Sequence, residues 1–381
     1  MQHNILMITS CFQPNIGGLE THLEGVCEYL AEKGHYVTVI TYQPQTTKLR
    51  GIGHEKGNNT EIFRLSWFGH NWRHRLERSP ILLFLYEFPA LFIKSFSYLL
   101  RHRKEVDVID AQGLVTSVVA KLLAALFNKR TVTSVHAIFG FSQRPVLSKA
   151  VRWALSSSDV ILPFAKKTED ELVSIGLPKQ SMMPYVSWVD LDIFRPMPKE
   201  ECRKELGLNG KFIALFVGRL IEKKGVNVLL ETAARCNPEI TFAFVGDGPM
   251  AERILEEAKV RPNVVYLGKM PNRETPRCYN AADVLVMPSQ YEEQFGVVVL
   301  EALACGTPLI AANRGGIPEV MDASVGVLVE PTADDFTSKV CHYYDHREEL
   351  AILADNCRSF AEARYSRDNM TIIERAYDGT E

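Results

Sequence analysis

The feature of this sequence that most limits its possible folds is a regular alternation of short apolar runs with longer segments of helical period. Each apolar run is bounded by turn residues. Because parallel strands need a long crossover between them, this alternation predicts β-α-β units and parallel sheets. The predicted strands cover residues 5–8, 37–40, 106–109, 131–135 and 160–162, and then 212–217, 240–245, 264–267, 284–287 and 309–311.

The alternation stops at a charged, proline-bearing segment, 189–198, and then starts again. A length of 381 residues also favours two domains over one. We therefore predict an α/β protein with one doubly wound domain over 1–190 and another over 191–360. Ligands of such sheets bind at the carboxyl ends of the strands, so the site is expected in a cleft between the domains. The last residues, 361–381, are expected to form a helix that packs back on the first domain.

Charge is distributed unevenly between the two predicted domains. Residues 1–190 contain 21 Lys and Arg against 16 Asp and Glu, whereas the remaining residues contain 22 against 30. The formal net charge of the chain is only −3, which gives no general case for a nucleic-acid partner. The basic first half indicates a surface that faces something anionic.

Cysteine spacing and the N-terminus bear on metals and location. The eight cysteines are scattered, without a C-x-x-C pair or a histidine pair that would complete a zinc pattern. We expect free thiols in a reducing compartment, and neither a metal nor a cofactor. The first apolar run lacks a basic stretch before it and is interpreted as a strand, not as a signal peptide. These features predict a cytoplasmic protein.

Each predicted domain has a glycine-bearing loop after its first strand. Gly17 and Gly18 precede a helix, where the backbone can approach an anionic ligand; a simple tight turn explains this loop equally well. In the second domain, Gly218 and Arg219 leave the strand and Lys224 follows at a helix start. Two cations at the carboxyl edge of a sheet suit a diphosphate, although basic residues on a loop are often only solvated.

A carboxylate pair follows the strand over 284–287. Glu293 precedes a predicted helix, and Glu301 lies inside it, where the helix is apolar nearly all round. A carboxylate buried there needs a partner. Between them, Phe295, Gly296 and Val297 place N–H groups at the helix start, which suit phosphate or sugar oxygens. The alternative is a helix-terminal charge at Glu293 and a surface residue at Glu301.

Two other motifs are interpreted as structural. Asp190-Leu191-Asp192 has the spacing of a metal-binding D-x-D but lies between the domains, so we interpret it as a turn. A second glycine pattern begins at Gly246, after a strand. A dinucleotide site would also need an acidic residue about 20 positions further on. The next strand ends at Leu267 without one, which argues against NAD binding.

Taken together, these motifs resemble those of the family 4 glycosyltransferases, which have the GT-B fold and retain the anomeric configuration of the sugar. The resemblance covers nearly the whole chain and implies two facing Rossmann-like domains. It rests on five motifs in order: Gly17-Gly18, Gly218-Arg219 with Lys224-Gly225, Gly246-Asp247-Gly248-Pro249, Glu293 and Glu301 around Phe295-Gly296, and Gly315-Gly316-Ile317-Pro318-Glu319.

The resemblance implies a role for each matching residue. Arg219 and Lys224 would neutralise the departing diphosphate, Glu293 would hold hydroxyls of the donor sugar, and Glu301 would hold the ribose. His136, at the end of a first-domain strand, would lie near the donor sugar. The other donor-binding positions implied are Gly17, Gly18, Gly218, Met270, Phe295, Gly296 and Val297.

The activity implied is transfer of a hexose or N-acetylhexosamine from a nucleotide sugar to a lipid-linked or glycan acceptor, without a metal. A UDP-sugar is favoured, because Thr21-His22 and 136–141 resemble the branch that transfers N-acetylglucosamine to phosphatidylinositol. Two alternatives stay open: an epimerase or phosphorylase of the same fold, and a nucleotide-sugar-binding protein without transferase activity.

The acceptor side of the chain contains a basic, aromatic-rich segment. Between Arg64 and Lys104, eight Lys and Arg stand against two acidic residues, around an apolar stretch over 81–93. Glu87 and Pro89 inside this stretch argue against a helix that spans a bilayer. Apolar residues flanked by cations suit a surface that rests on anionic lipid, as in a peripheral protein on the cytoplasmic face. A long core helix with a solvated basic side is the alternative.

Overall fold

In a computed structural model of the protein, the described residues are 2–15, 17–45, 49–66, 76, 79–141 and 145–379. They form two compact units, each built on its own sheet. The first unit comprises Met1–Val186 together with Met370–Glu381, and the second comprises Ser187–Asn369.

The sheet of the first unit contains β1 (Asn4–Thr9), β2 (Tyr36–Tyr42), β3 (His54–Gly57), β4 (Thr60–Leu65), β5 (Val108–Gln112), β6 (Arg130–Val135) and β7 (Val160–Pro163). Its seven strands have the order β3-β4-β2-β1-β5-β6-β7. All neighbouring strands are parallel except β3 and β4, which form an antiparallel pair at the edge. Without β3, the chain follows the 3-2-1-4-5-6 order of Rossmann folds.

The sheet of the second unit contains β8 (Phe212–Val217), β9 (Ile240–Val245), β10 (Val264–Gly268), β11 (Val284–Met287), β12 (Leu309–Ala312) and β13 (Gly326–Val329). Its six parallel strands have the order β10-β9-β8-β11-β12-β13, which is again 3-2-1-4-5-6. The central strands are buried along almost their whole length, as expected for a parallel sheet covered on both faces. The expected α/β fold with two Rossmann-like sheets is confirmed.

Helices connect the strands in both units. In the first unit they are Gly18–Glu32, Pro80–His102, Leu114–Phe127, Pro145–Leu155, Lys166–Ser174 and Thr371–Asp378. In the second unit they are Lys199–Leu206, Val226–Arg235, Ala251–Val260, Pro276–Ala281, Val297–Ala304, Ile317–Val320, Ala333–Asp345 and Arg347–Arg364. Short 3-10 turns lie at Lys179–Ser181, Glu222–Lys224, Asn272–Glu274 and Arg367–Met370.

All ten predicted strands are present, but one is displaced and three others were not predicted. The strand expected over 106–109 is β5, Val108–Gln112, because the N–H of Val106 still donates to the carbonyl of His102 and closes the preceding helix. The unpredicted strands are β3, β4 and β13. They are short or carry charged residues, and β3 is an exposed edge strand, so their apolar pattern is weak.

The unit boundaries differ from those predicted at 190 and 361. The chain divides after Val186, because the next residues are bonded within the second unit. The N–H of Val189 donates to the carbonyl of Tyr365 at 3.0 Å. At the other end, Ala361 is buried in the core of the second unit, on helix Arg347–Arg364, so the chain returns to the first unit only at Met370.

Helix Thr371–Asp378 is attached to the first unit by polar contacts. The Tyr377 hydroxyl donates to Asp110 at 2.7 Å, and the Tyr29 hydroxyl donates to Glu374 at 2.7 Å. Asp378 pairs with His3 at 2.7 Å. These contacts fix the end of the chain against the first and fifth strands and helix Gly18–Glu32.

Helix Pro80–His102 packs one side against the first sheet and exposes the other. Inside the described residues, Ile81–His102 is a helix that could cross a membrane by length and composition alone. Its Glu87, however, is buried and accepts a hydrogen bond from the Ser10 hydroxyl at 2.6 Å, and Leu91 is fully buried. On the other side, Leu85 and Ile93 are 60% and 66% exposed. Residues 67–75, 77 and 78, which include three of the cations predicted to face lipid, lie outside the described residues.

Candidate functional site

The second unit brings two predicted site residues into direct contact at the carboxyl edge of its sheet. Lys224 forms a hydrogen-bonded ion pair with Glu293. The same carboxylate accepts a hydrogen bond from Ser289 at 2.6 Å on one oxygen and from Tyr291 at 2.8 Å on the other. Both partners of the ion pair are largely buried, with 17% and 7% of their side chains exposed. The cluster therefore holds one cation and one carboxylate in fixed positions.

The protonation of Lys224 follows from its surroundings. Burial by itself would lower the pKa of this ammonium group. The Glu293 carboxylate and the contact with Tyr291 outweigh burial, so the pKa of Lys224 is raised above its ordinary value. The Lys224 ammonium also lies 5.3 Å from the centre of the Tyr291 ring. Lys224 is thus a permanently charged group at neutral pH.

Close approaches of backbone to backbone shape the loops of this edge. Gly315 has a positive φ of 60°, and a Cβ there would lie 2.0 Å from the Glu293 carbonyl oxygen. The N–H of Gly316 donates to that same oxygen at 2.7 Å. At the neighbouring loop, a Cβ on Gly246 would lie 1.9 Å from the Gly218 carbonyl oxygen. Glycine is required at these two positions for the loops to close around Glu293 and after β8.

Arg219 is exposed at the end of β8. Its side chain has no hydrogen bond or ion pair with any residue in the described part of the chain. Lys224, five positions further on, is already paired. Among the described residues, the loop after β8 therefore carries one cation without a side-chain partner, Arg219, and one that is paired, Lys224.

Helix Val297–Ala304 begins next to this cluster. Gly296 precedes it with a positive φ of 65°, and Phe295, Gly296 and Val297 are all partly exposed. The first N–H groups of an α-helix have no partner within the helix and carry partial positive charge. The predicted amide donors therefore lie at a solvent-accessible helix start.

Glu301, in the same helix, is buried and has two partners. Asn272 donates to one carboxylate oxygen at 2.7 Å and the Tyr279 hydroxyl donates to the other at 2.5 Å. Burial raises the pKa of Glu301 to about 7, although both hydrogen bonds act to lower it. Asn272 lies two positions after Met270, whose sulfur accepts from the Cys278 thiol at 3.3 Å. The segment that carries Met270 is therefore attached directly to Glu301.

In the first unit, His136 lies just beyond the end of β6 and is part of a buried polar chain. Its Nε2 is 2.7 Å from the Gln112 side-chain oxygen, and the Gln112 amide donates to Asp110 at 2.8 Å. Burial, together with the nearby His22, lowers the pKa of His136 to about 3. His136 is therefore a neutral imidazole.

His22 lies next to His136, although the sequence indicated it only as part of the Thr21-His22 motif and not as a site residue. It lies on helix Gly18–Glu32, in the turn after the Gly17-Gly18 loop, and its ring centre is 6.3 Å from that of His136. Both histidines pack against Phe164, and burial lowers the pKa of His22 to about 3. Its place in the second turn of a helix after a glycine pair and the Thr21-His22 motif were the available signals.

Gly17 and Gly18 precede and begin helix Gly18–Glu32, as the strand-to-helix loop predicts. Gly17 has a φ of 179°, which is ordinary extended backbone. The preceding Ile16 lies outside the described residues. The geometry therefore fits both a ligand-binding loop and a tight turn.

The D-x-D motif folds as a local turn. One oxygen of Asp190 accepts from the N–H groups of Asp192 and Ile193, both at 3.0 Å. Within the described ranges, no group of three His, Cys, Asp or Glu side chains is arranged to hold a metal ion.

This chain belongs to the glycosyltransferases of family 4. Two family models match it, Glycosyltransferase Family 4 over residues 16–184 and Glycosyl transferases group 1 over residues 198–360. The predicted resemblance is confirmed, and with it the transferase class of the enzyme.

Two relatives are named for activity on phosphatidylinositol lipids. The GDP-mannose-dependent alpha-(1-6)-phosphatidylinositol monomannoside mannosyltransferase of Mycolicibacterium smegmatis is 28% identical over 87% of this chain and 86% of its own length. The phosphatidylinositol N-acetylglucosaminyltransferase GPI3 subunit of Saccharomyces cerevisiae is 23% identical over 87% of this chain and 73% of its own length.

Solved structures share the fold over the full length. Sucrose-phosphate synthase from Thermosynechococcus elongatus superposes with a TM-score of 0.83 at 22% identity and covers 99% of both chains. The Anabaena protein HepE in complex with UDP has a TM-score of 0.77 at 19% identity, over 99% of this chain and 100% of its own. These similarities confirm the GT-B fold class. The predicted position of the site between the two domains stays a prediction.

Proposed function

We propose that the protein transfers a hexosyl or N-acetylhexosaminyl group from a nucleotide sugar to an inositol phospholipid, with retention of the anomeric configuration. The observation that carries this proposal is the pairing of Lys224 with Glu293, together with Arg219 five positions before Lys224, which has no side-chain partner among the described residues. A nucleotide sugar has an anionic diphosphate next to a neutral, hydroxyl-rich ring. A fixed cation, a fixed carboxylate and a second cation together match those two chemical groups.

In this proposal, Arg219 and Lys224 bind the diphosphate and stabilise it as it leaves. When the bond between the anomeric carbon and the diphosphate oxygen breaks, the electron pair stays on that oxygen and its negative charge grows. Preorganised cations stabilise such a developing charge without reorganisation at the moment of reaction. The N–H groups at the helix start, at Gly296 and Val297, carry partial positive charge and add further donors to the diphosphate. No step of this mechanism requires a metal.

Glu293 is assigned to the hydroxyl groups of the donor sugar. Ser289 and Tyr291 each donate to one of its oxygens, which fixes the plane of the carboxylate. The oxygen bonded to Tyr291 keeps a lone pair that can accept from a hydroxyl group, whereas the other oxygen already accepts from both Ser289 and Lys224. Phe295 contributes to the same site through its main-chain N–H.

Glu301 and Met270 are assigned to the nucleoside. A carboxylate accepts from the paired hydroxyls of a ribose. The Met270 main chain would face the base, and the bond from Asn272 to Glu301 holds this main chain at a fixed distance from the Glu301 carboxylate. His136, with Gly17 and Gly18, is assigned to the donor sugar from the first unit.

The donor is proposed to be a UDP-sugar, with UDP-N-acetylglucosamine first. The Thr21-His22 and 136–141 motifs and the relatives that transfer N-acetylglucosamine to phosphatidylinositol support this choice. The mycobacterial relative uses GDP-mannose, so a GDP-sugar is the alternative that the experiment must test.

The acceptor is proposed to be presented at the cytoplasmic membrane surface, where the protein binds peripherally through the segment from Arg64 to Lys104. Arg64 itself cannot face lipid as the sequence predicted, because it is buried and its guanidinium donates to Gln13, Ile52 and Glu55. Leu85 and Ile93 stand out from helix Pro80–His102, and Arg101 and Arg103 are exposed at its C-terminal end. Exposed apolar side chains next to cations can enter the headgroup region of an anionic bilayer. The buried Glu87 and Leu91 keep the helix attached to its sheet in this arrangement.

The test is a donor panel with a lipid acceptor. UDP-, GDP- and ADP-sugars are first screened for thermal stabilisation, since a ligand at 100 times its Kd adds about 2.7 kcal/mol to the free energy of unfolding. Each donor that binds is then incubated with vesicles containing phosphatidylinositol. We expect release of the nucleoside diphosphate, a glycosylated lipid, and the donor's anomeric configuration in the product by NMR. Binding without turnover would indicate a nucleotide-sugar-binding protein, and a product of opposite configuration would contradict retention.

A further inference from the structure

A buried chain of hydrogen bonds leads from the C-terminal helix to His136. The Tyr377 hydroxyl donates to one oxygen of Asp110, and the Gln112 amide nitrogen donates to the other at 2.8 Å. The Gln112 oxygen then lies 2.7 Å from Nε2 of His136. Tyr377, Asp110 and Gln112 are all buried, and Tyr377 and Asp110 are 267 positions apart in the sequence.

The chain fixes which way the Gln112 amide points. An ionised carboxylate only accepts hydrogen bonds, so the nitrogen of the amide must face Asp110. The amide oxygen must then face His136, and an amide oxygen also only accepts. Nε2 of His136 therefore carries the proton, and Nδ1 has a free lone pair. The tautomer of a histidine is commonly set in this way by the partner of its other nitrogen.

We propose that Tyr377, Asp110 and Gln112 are positioning residues that hold His136 as the Nε2–H tautomer, so that Nδ1 can accept a hydrogen bond from a hydroxyl of the donor sugar. This inference rests on the proposed function only in its last clause, because the tautomer exists without a ligand. Through Tyr377, helix Thr371–Asp378 would then help to set the protonation of His136, a role that the sequence of this helix does not indicate.

The ionisable groups around this chain support a measurement at pH 8. Burial raises the pKa of Asp110 to about 6, although the hydrogen bonds from Tyr377 and Gln112 oppose the shift, so Asp110 is ionised at pH 8. The Cys27 thiol, which faces Asp110 from helix Gly18–Glu32, has its pKa raised by burial and by the Asp110 charge and stays protonated. His136, with a pKa of about 3, is neutral, so only its two tautomers need to be distinguished.

The experiment reads the tautomer directly. The full chain is labelled with ¹⁵N-histidine, and a long-range ¹H–¹⁵N spectrum shows which ring nitrogen carries the proton. The His136 signals are assigned from their loss in His136→Gln. We expect the Nε2–H form in the unchanged protein and a mixture of tautomers in Gln112→Leu. In Tyr377→Phe the Nε2–H form should give way to a mixture at a higher pH than in the unchanged protein, because the lost hydrogen bond no longer lowers the pKa of Asp110, and a protonated Asp110 no longer orients the Gln112 amide. Donor turnover should fall about tenfold in Gln112→Leu, the lower end of the effects seen when the residues that orient metal-binding histidines are changed.

Tyr29→Phe is the matched control. Its hydroxyl also ties helix Thr371–Asp378 to the first unit, through Glu374, a residue that is not part of the chain from Tyr377 to His136. Tyr29→Phe should leave the tautomer unchanged. An Nδ1–H form in the unchanged protein, an unaltered tautomer in Gln112→Leu, or the same pH dependence in Tyr377→Phe as in the unchanged protein would overturn the inference. Normal turnover in His136→Gln would instead contradict the proposed function, without any change in what the spectrum says about the tautomer.

Discussion

The two units share one strand order, yet the carboxyl edge of one sheet carries charged site residues and that of the other carries neutral ones. In the second unit, Lys224 stays charged because Glu293 compensates its burial. In the first unit, burial lowers the pKa of both His22 and His136 to about 3, so both are neutral. The same Rossmann fold therefore has a charged carboxyl edge in the second unit and a neutral, aromatic one in the first.

This difference shows where specificity lies in a duplicated architecture. The frame supplies strand ends and helix starts, and the loops decide which ligand group can bind there. A charged edge suits a diphosphate, whereas neutral imidazoles beside Phe164 suit a sugar ring, which has apolar faces and hydroxyl edges. The predictions that follow test this division of roles.

The largest effect is expected at the charged edge. Replacing Lys224 or Arg219 with Ala removes a cation whose contact strengthens as the diphosphate leaves, so kcat should fall about 100-fold or more. Lys223→Ala is the control, because Lys223 is exposed beside Lys224 and lies outside the ion pair. Steady-state kinetics with the selected donor give the comparison. Near-normal kcat in both variants, or an equal loss in Lys223→Ala, would remove the basis for the assigned diphosphate site.

A smaller effect is expected from the ionisation of Glu301. With a pKa of about 7, this carboxylate is mostly protonated at pH 6 and mostly ionised at pH 8. Because ribose hydroxyls donate to the ionised form, affinity for the nucleotide sugar should rise about tenfold over that range. Glu301→Gln should abolish the dependence, and Glu256→Gln, on the exposed side of helix Ala251–Val260, should preserve it. Calorimetric titration at several pH values is the measurement, and a pH-independent affinity in the unchanged protein would contradict the assignment.

The stability of the protein should show the opposite trend with pH. The pKa of Glu301 is raised in the folded state, so between about pH 4.5 and 7 the folded protein binds more protons than the unfolded chain. The contribution of this group to stability is therefore present below pH 4.5 and is lost as the pH rises through 7. Glu301→Gln should reduce the change in the free energy of unfolding over this pH range by an amount on the order of 1–3 kcal/mol. Denaturant unfolding at each pH measures it.

Several-fold weaker binding to anionic vesicles is expected when the outward side of helix Pro80–His102 is made polar. Leu85 and Ile93 are mostly exposed, so changing both to Ser should leave the fold intact and remove apolar area that enters the headgroups. Leu255→Ser with Val260→Ser is the matched pair on the second unit, where both residues are also exposed. Co-sedimentation over a salt series checks this, and binding should weaken with salt because the screening length is about 10 Å at 0.1 M. Equal binding to neutral and anionic vesicles would favour an acceptor away from the membrane.

The same vesicle-binding assay can be applied to three arginines that lie outside the described residues. Changing Arg73, Arg75 and Arg78 to Gln should weaken vesicle binding by about 1 kcal/mol per cation while leaving donor hydrolysis unchanged. These three residues lie outside the described part of the structure, so this prediction depends on the sequence alone.

No effect is expected from chelation. Asp190 uses its carboxylate to cap a local turn, and the proposed mechanism stabilises the diphosphate with protein cations. Turnover in EDTA should therefore equal turnover in buffer. A loss that Mn²⁺ or Mg²⁺ restores would show that a metal takes part.

The sequence predicts the strands and helices better than it predicts the side-chain contacts between them. Apolar runs in a parallel sheet are continuous, which made ten strands predictable, whereas the polar edge strand His54–Gly57 was not. The apolar helix around Glu301 indicated a buried carboxylate, and Asn272 and Tyr279 are its partners. The bonds from Ser289 and Tyr291 to Glu293 depend on loop geometry that no periodicity records. The bond from Tyr377 to Asp110 joins positions 267 residues apart, and only the folded chain reveals it.

The most direct test of the central claim, that the charged edge of the second unit binds the diphosphate, compares two nucleotides. Calorimetry measures the Kd of the nucleoside diphosphate and the nucleoside monophosphate of the selected donor, in the unchanged protein, in Arg219→Ala and in Lys223→Ala. The account predicts that the unchanged protein and Lys223→Ala bind the diphosphate about tenfold or more tightly than the monophosphate, because a charge-assisted contact contributes roughly 1.5–3 kcal/mol. Arg219→Ala should lose most of this preference while its affinity for the monophosphate changes little. An undiminished preference in Arg219→Ala would contradict the account.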